Sequence, residues 1–138
     1  VISGLVSGVI TSLLTVYVLS LIMGLNHAQY VTLLPKSITT AIGMGVSEEL
    51  GGYVNITVAV IVITGVLGNI FADIICKVFR ITDPIAKGLA IGNASHAIGT
   101  ARAMEMGQIE GAMSSLAIAV AGILTVVGAS LFAGFIPM

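Results

Sequence analysis

The chain has 138 residues, of which 57% are hydrophobic and only 8% are charged; its formal net charge is −1 and its mean hydropathy is +1.16. Soluble domains carry about 25% charged residues, so this composition excludes an ordinary water-soluble globular protein and indicates one that lies in a lipid bilayer. The near-neutral charge gives no basic surface for nucleic acid, and the single cysteine, Cys76, excludes an intrachain disulfide.

Three uncharged, apolar stretches are each long enough to cross a membrane as a helix. They cover residues 1–25, 50–72 and 111–138, and a hydrocarbon core requires about 20 apolar residues. Over such lengths, the lack of strict alternation favours helices over the strands of a barrel. Because the sequence begins at Val1 and is apolar from there on, we interpret it as a fragment of a longer membrane protein without a signal peptide.

Two shorter polar stretches separate these spans, at residues 37–47 and 88–101. The first would make a helix of only about 16 Å, which is too short for a full crossing. We therefore expect both stretches to be broken or re-entrant helical segments. The predicted fold is an all-α integral membrane protein with three full transmembrane helices plus these two segments, in a single transmembrane domain over residues 1–138.

A basic joint lies between the second span and the second polar stretch. Lys77, Arg80 and Lys87 cluster there, and the positive-inside rule places them in the cytoplasm. The second span then starts outside, near Glu48. Lys36 falls inside if the first polar stretch crosses the membrane and outside if that stretch is re-entrant, so the rule mildly favours crossing.

A faint internal repeat relates residues 34–72 to residues 94–132. At a fixed offset, the matching positions are Ile38, Thr40, Ala41, Met44 and Gly51 with Ile98, Thr100, Ala101, Met104 and Gly111. Duplicated halves with interrupted helices are typical of secondary transporters. In so apolar a chain, chance and helical bias would produce much of the same similarity, so both explanations stay open.

The first polar stretch offers Lys36, Ser37, Thr39 and Thr40 as candidate substrate-binding residues. Pro35 precedes them and is suited to the first turn of a helix. A helix that begins at membrane depth presents free N–H groups and a positive dipole end, which suit a carboxylate. The alternative is that these hydroxyls simply form hydrogen bonds between packed helices.

The second polar stretch concentrates further polar groups among small residues, and its candidate substrate-binding residues are Asn93, Ser95, His96, Thr100 and Arg102. Arg102 is suited to binding an anion. His96 or Glu105 would carry protons for coupling, because ionisable groups at membrane depth usually serve a cavity or a partner. Alternatively, His96 forms an interhelical hydrogen bond and Arg102 pairs with Glu105 at the membrane surface.

No catalytic or metal-binding motif is present, since the sequence has no zinc-ligand spacing, phosphate loop or nucleophile elbow. We therefore expect no enzyme activity and no cofactor. We expect no binding role for the other polar residues singled out: Glu48 and Glu49 lie at a solvated interface, and His27 lies in a loop.

Longer motifs surround the candidate residues. They read Leu34-Pro35-Lys36-Ser37 with Thr39-Thr40, and Gly92-Asn93-Ala94-Ser95-His96-Ala97-Ile98-Gly99-Thr100-Ala101-Arg102, flanked by Asp83-Pro84-Ile85-Ala86-Lys87-Gly88 and Glu110-Gly111-Ala112. In these motifs, which extend over nearly the whole chain, the sequence resembles the LrgB/CidB family of bacterial membrane proteins.

This resemblance implies one of two functions. Members of the family are holin/antiholin-like proteins that modulate murein hydrolase activity and autolysis together with a smaller LrgA/CidA-type partner. Related proteins move small carboxylates, namely pyruvate, glycolate and glycerate. The resemblance thus implies a multi-pass protein of the bacterial cytoplasmic (inner) membrane that forms a homo-oligomer and either transports a small monocarboxylate or regulates autolysis.

Overall fold

A computed structural model describes residues 1–138 and is helical almost throughout. The six helices are α1 (Ile2–Met23), α2 (His27–Leu33), α3 (Thr40–Leu50), α4 (Val54–Val78), α5 (Pro84–Met106) and α6 (Gln108–Ala133). The long apolar helices α1, α4 and α6 have 22, 25 and 26 residues, so each exceeds the ~30 Å of a hydrocarbon core at about 1.5 Å per residue. The predicted all-α fold with three full spans is confirmed.

The boundaries of the second span differ from the sequence prediction at both ends. It begins at Val54 rather than at residue 50, because Gly51 ends α3 in a left-handed conformation with a φ of 83°. It also continues past Asp73 to Val78. Charged side chains in the last turns of a spanning helix can extend to the polar edge of the membrane, so they do not end the helix.

α2 enters the bundle from the end where α1 and α6 finish. There Tyr30 donates a hydrogen bond to the carbonyl of Phe132 (2.8 Å). The turn that follows α2 reaches the middle of α1, since Ser37 Oγ lies 3.2 Å from Ser12 Oγ. We call this turn, residues 34–39, tip 1.

α3 leads from tip 1 back to the same end. Gly43 in its first turns lies against Ile61 of α4. Ser47, near the end of α3, contacts Thr57 in the first turn of α4, where the two hydroxyl oxygens are 2.7 Å apart. Thr57 Oγ1 also lies 2.9 Å from the carbonyl oxygen of Thr32 in α2. Both arms of this segment therefore meet at one end, and α2 and α3 form a re-entrant hairpin, hairpin 1.

The mild preference for a crossing first segment was therefore wrong. The positive-inside rule applies to loops that flank the membrane, whereas Lys36 lies at the tip of a hairpin inside the bundle. Its charge carries no information on which side of the membrane the neighbouring helices end.

α5 consists of two helical arms joined at His96. The backbone there is far from helical, with φ 42° and ψ −140°. Arm 5a (residues 84–95) runs alongside α6 in the same direction, because Gly88 lies against Glu110 and Gly92 against Ser114, one turn further along α6.

Arm 5b (residues 97–106) runs the opposite way along α6. Thr100, near its start, contacts the hydroxyl of Ser114 (2.6 Å), and Met104, near its end, lies against Gly111. The chain therefore reverses at His96. The second polar stretch is a second re-entrant hairpin, hairpin 2, and we call residues 93–97 tip 2.

The two hairpins enter the bundle from opposite ends. Hairpin 1 enters from the end that carries Glu48, here called the Glu48 end, and hairpin 2 from the end that carries the basic joint, here called the joint end. As a result, the pair α3–α4 and the pair arm 5b–α6 have opposite orientations. The predicted units 34–72 and 94–132 thus contain corresponding helix pairs, while a common origin of the two units stays a prediction.

Candidate functional site

A groove of about 720 Å³ runs along one side of the bundle between α1 and arm 5a. Both hairpins contribute to it, with Lys36 and Ser37 from tip 1 and Asn93 and Ala94 from tip 2. Towards the joint end it reaches Asp83, the residue that caps arm 5a by accepting a hydrogen bond from the Ala86 N–H. The two polar stretches of the sequence therefore meet on this groove.

The wall that α1 contributes is formed by hydroxyls at every fourth position, Ser3, Ser7, Thr11 and Thr15. Ser7, Thr11 and Thr15 donate to carbonyls of the preceding turn at 2.7–3.1 Å. A hydroxyl that donates to its own helix keeps lone pairs that can accept a hydrogen bond. This wall is therefore able to bind the hydroxyl group of a small ligand or a line of water molecules.

Lys36 supplies the cation of the groove. Its Nζ donates a hydrogen bond to Ser37 Oγ at 2.8 Å, which is part of a chain that continues to Ser12. No carboxylate forms an ion pair with Lys36, because both ion pairs of the structure involve Arg102. An ammonium group has three donors, and a cation at membrane depth normally has an anionic partner. Lys36 is thus free to bind an anion.

Asn93 attaches arm 5a to α1 at the groove. Its side-chain amide donates to the carbonyl of Leu5 at 3.1 Å, and its own oxygen, which is buried, has no protein partner. The amide fits because Gly8 has no side chain, since a Cβ there would overlap Asn93 Nδ2. This close approach is the use that transmembrane helices commonly make of glycine.

His96 is buried behind the groove, on the side of α4. Its Nε2 lies 2.9 Å from the carbonyl oxygen of Ile61, and because a carbonyl only accepts, Nε2 carries the hydrogen. Gly65 makes room for the imidazole, since a Cβ there would come within 2.7 Å of Cε1. The Thr100 hydroxyl satisfies the His96 carbonyl at 2.8 Å. The break at tip 2 is therefore held by side chains from arm 5b and by α4.

The remaining hydroxyls of the candidate set do not line the groove. Ser95 is buried against Gly68 of α4, and Thr100 contacts α6. Thr39 is the N-cap residue of α3 without a side-chain capping bond, and Thr40 follows it as the first helical residue. These four residues lie around the two tips, and of them Thr100 satisfies a backbone carbonyl at the break.

Arg102 and Glu105 do not line the groove and lie towards the joint end of arm 5b. The Arg102 guanidinium donates to Asp73 of α4, with Nε at 3.0 Å, and to Glu105 on its own arm. The alternative in which Arg102 pairs with Glu105 thus describes part of the arrangement. Asp73 was not among the candidates, because a partner on another helix is not visible from sequence spacing.

Apart from Thr39 and Thr40 at the start of α3, the candidate residues fall into three places. Lys36, Ser37 and Asn93 share the groove, Ser95, His96 and Thr100 surround the break behind it, and Arg102 and Glu105 form an ion-pair cluster with Asp73. The hydroxyl wall of α1 was missed by the sequence reasoning. Its signal is the spacing of Ser3, Ser7, Thr11 and Thr15, which places them on one face of a helix.

Comparison with known proteins identifies the family. A sequence profile described as the LrgB-like family matches residues 1–135. The chain belongs to the LrgB-like family. It is a multi-pass membrane protein, as the three long apolar helices of this LrgB-like chain also indicate. No solved structure matches it.

Named relatives of this LrgB-like chain include the antiholin-like protein LrgB of Bacillus mycoides (strain KBAB4) and of Bacillus cereus (strain B4264). A third is the antiholin-like protein LrgB of Bacillus anthracis (strain CDC 684 / NRRL 3495). Each is 40% identical over 136 residues, which is 99% of this chain and 59% of the relative. The chain thus spans about three-fifths of the length of these relatives.

Proposed function

We propose that the protein transports a small monocarboxylate, such as pyruvate or glycolate, across the bacterial cytoplasmic membrane, and that the groove holds the substrate. The observation that carries this proposal is Lys36, a cation at mid-depth in the bundle without a carboxylate partner. A single ammonium group fits a single carboxylate. Ser37, beside it, provides a hydroxyl for the second carboxylate oxygen.

The rest of the groove suits the remainder of such a molecule. The hydroxyls of α1 and the side chain of Asn93 line a space of about 720 Å³, which is within the range of small-molecule sites. A two- or three-carbon acid with a hydroxyl or oxo group would bind its carboxylate at Lys36 and its other oxygen along the hydroxyl wall. Ser95, His96 and Thr100 would position tip 2 and so determine the width of this space.

The architecture supports transport over a purely structural role. Two re-entrant hairpins from opposite ends bring irregular backbone to mid-depth, and such backbone is tolerated there only inside protein or beside a wet cavity. Secondary transporters bind their substrates near the midplane at discontinuous helices. In this proposal His96 is the candidate proton carrier, and we place Arg102 and Glu105 outside the substrate site.

Uptake by the complete protein in proteoliposomes tests this function. With radiolabelled pyruvate and glycolate, uptake should be saturable, and Lys36→Gln should lower kcat/KM at least tenfold, because the carboxylate loses its cation. Lys36→Arg should retain part of the activity. Lys77→Gln, which removes an exposed lysine of the joint, is the matched control and should leave uptake unchanged. Equal uptake by the Lys36→Gln variant would contradict the proposal.

A second candidate function is holin/antiholin-like regulation of murein hydrolase activity and autolysis. It is favoured by the name of the relatives, antiholin-like protein LrgB. In this role the polar hairpins would pack an oligomeric membrane assembly, together with a small LrgA/CidA-type partner. A pore of this kind should pass unrelated small solutes without saturation, whereas a carrier should discriminate between monocarboxylates and sugars of similar size.

A further inference from the structure

We infer that the ion pair between Arg102 and Asp73 is a latch that holds hairpin 2 against α4 and sets the position of tip 2 in the groove. Asp73 belongs to a long spanning helix, and Arg102 belongs to the returning arm of a hairpin whose connection is a single non-helical residue, His96. The two partners thus join a long spanning helix to the returning arm of a hairpin.

The environment of this ion pair allows it to open and close. The side chains of Arg102 and Asp73 are 36% and 38% exposed, so water reaches both groups when they separate. Solvent-exposed ion pairs contribute little to stability. The pair is therefore suited to a reversible contact and adds little to the permanent stability of the bundle.

Glu105 gives Arg102 a partner that moves with it. The carboxylate of Glu105 lies three residues along the same arm and accepts a hydrogen bond from Nη1, whereas Asp73 binds Nε and Nη2. When Arg102 leaves Asp73, the guanidinium remains paired with Glu105. The open state therefore does not leave this arginine without a counter-charge near the membrane.

The rest of the surface between hairpin 2 and α4 is in close contact near tip 2. α4 presents Gly65 and Gly68 to the hairpin, opposite His96 and Ser95. Small residues allow this close approach, so these contacts position the tip, whereas the latch lies towards the other end of arm 5b. Apart from the latch, side-chain hydrogen bonds across this surface come from His96 to Ile61 and from Asn69 to the carbonyl of Ile98 (2.8 Å), and all of these lie near the tip.

Movement of hairpin 2 would change the groove. Tip 2 carries Asn93 and Ala94 into the groove and Ser95 against α4. If hairpin 2 pivots away from α4, Asn93 and Ala94 move relative to Lys36, and Ser95 becomes exposed. The latch would act on the position of the hairpin whichever solute the groove binds.

Thiol labelling tests the latch in the complete protein reconstituted into liposomes. In a Cys76→Ser background, Ser95→Cys places a reporter at a site that is only 4% exposed. The probe is a water-soluble maleimide, and the measured quantity is its labelling rate. Asp73→Asn and Arg102→Gln should each raise this rate at least fivefold, because the hairpin is no longer held against α4.

The controls separate a latch from general destabilisation. Glu105→Gln removes the other partner of Arg102 and should change the rate less than twofold. The double exchange of Asp73→Arg with Arg102→Asp should return the rate to near that of the unexchanged pair. In the reporter protein that keeps Asp73 and Arg102, 1 M salt should reversibly raise the labelling rate of the Ser95→Cys thiol, since salt screens exposed charges.

Three results would overturn the latch. These are unchanged labelling in both single variants, an equal rise in Glu105→Gln, and a double exchange that labels as fast as the single variants. If the single variants fail to fold, the salt dependence decides, and labelling that is independent of salt contradicts the proposal.

Discussion

The main-chain carbonyl of Ile61 accepts a hydrogen bond from the imidazole of His96 at 2.9 Å. The side chain of the same isoleucine packs on Gly43 of hairpin 1. One residue of α4 therefore contacts both hairpins near their tips. Since the hairpins enter from opposite ends, this contact aligns the two tips at the same depth.

We expect His96→Gly to be less destabilising than His96→Ala, although glycine is the smaller residue. Both variants lose the hydrogen bond to Ile61, which should cost about 1–2 kcal/mol. Only alanine must also adopt a φ of 42° with a Cβ, and such strain costs of the order of 1–3 kcal/mol. Thermal unfolding of the detergent-solubilised protein measures the difference, and equal melting temperatures would show that the reversal at residue 96 is not strained.

The contact of Gly8 with Asn93 predicts that alanine at position 8 lowers the free energy of unfolding, whereas alanine at an open glycine position does not. In Gly8→Ala, the new Cβ would overlap the Asn93 amide and break its bond to Leu5, which should lower the free energy of unfolding by about 1–3 kcal/mol. Gly45→Ala is the matched control, because nothing lies within 4 Å of a Cβ there. That control should be neutral or slightly stabilising. A Gly8→Ala variant as stable as the control would contradict the contact.

The two re-entrant hairpins predict which single cysteines share a side of the membrane. In a Cys76→Ser background, Met23→Cys and Glu49→Cys should react with impermeant maleimide from one side, and Lys77→Cys and Glu105→Cys from the other. Hairpin 1 returns to its own end, so positions 23 and 49 lie together. If the first polar stretch crossed instead, these two cysteines would react from opposite sides.

Sequence reasoning identified the spans and both polar segments, because charge and hydropathy directly reflect the environment of a helix. The composition of these segments predicts broken or re-entrant helices but does not decide between re-entry and crossing. The reversal at His96 depends on Gly65 and Gly68 of α4, which admit tip 2, and on Thr100, which satisfies the freed carbonyl. These are contacts between distant positions, and nothing in the local sequence around residue 96 demands a positive φ.

The sequence predicts several residues of the candidate site but not which of them lie together. Lys36, Ser37 and Asn93 were named from the sequence and share the groove. The guanidinium of Arg102 predicts an anion site or a pair with Glu105, but a sequence does not show that a second helix already supplies another partner, Asp73. The hydroxyl wall was overlooked because serine and threonine are ordinary in transmembrane helices, and their function depends on what faces them.

Protection of a groove cysteine by substrate tests the central claim most directly. Ala94→Cys, in a Cys76→Ser background of the complete protein, places a thiol on the groove at tip 2. Pyruvate or glycolate should slow its labelling by maleimide in a saturable manner, and Lys36→Gln should abolish this protection. Labelling that no small monocarboxylate slows, or protection that persists without Lys36, would contradict a carboxylate site between the two hairpin tips.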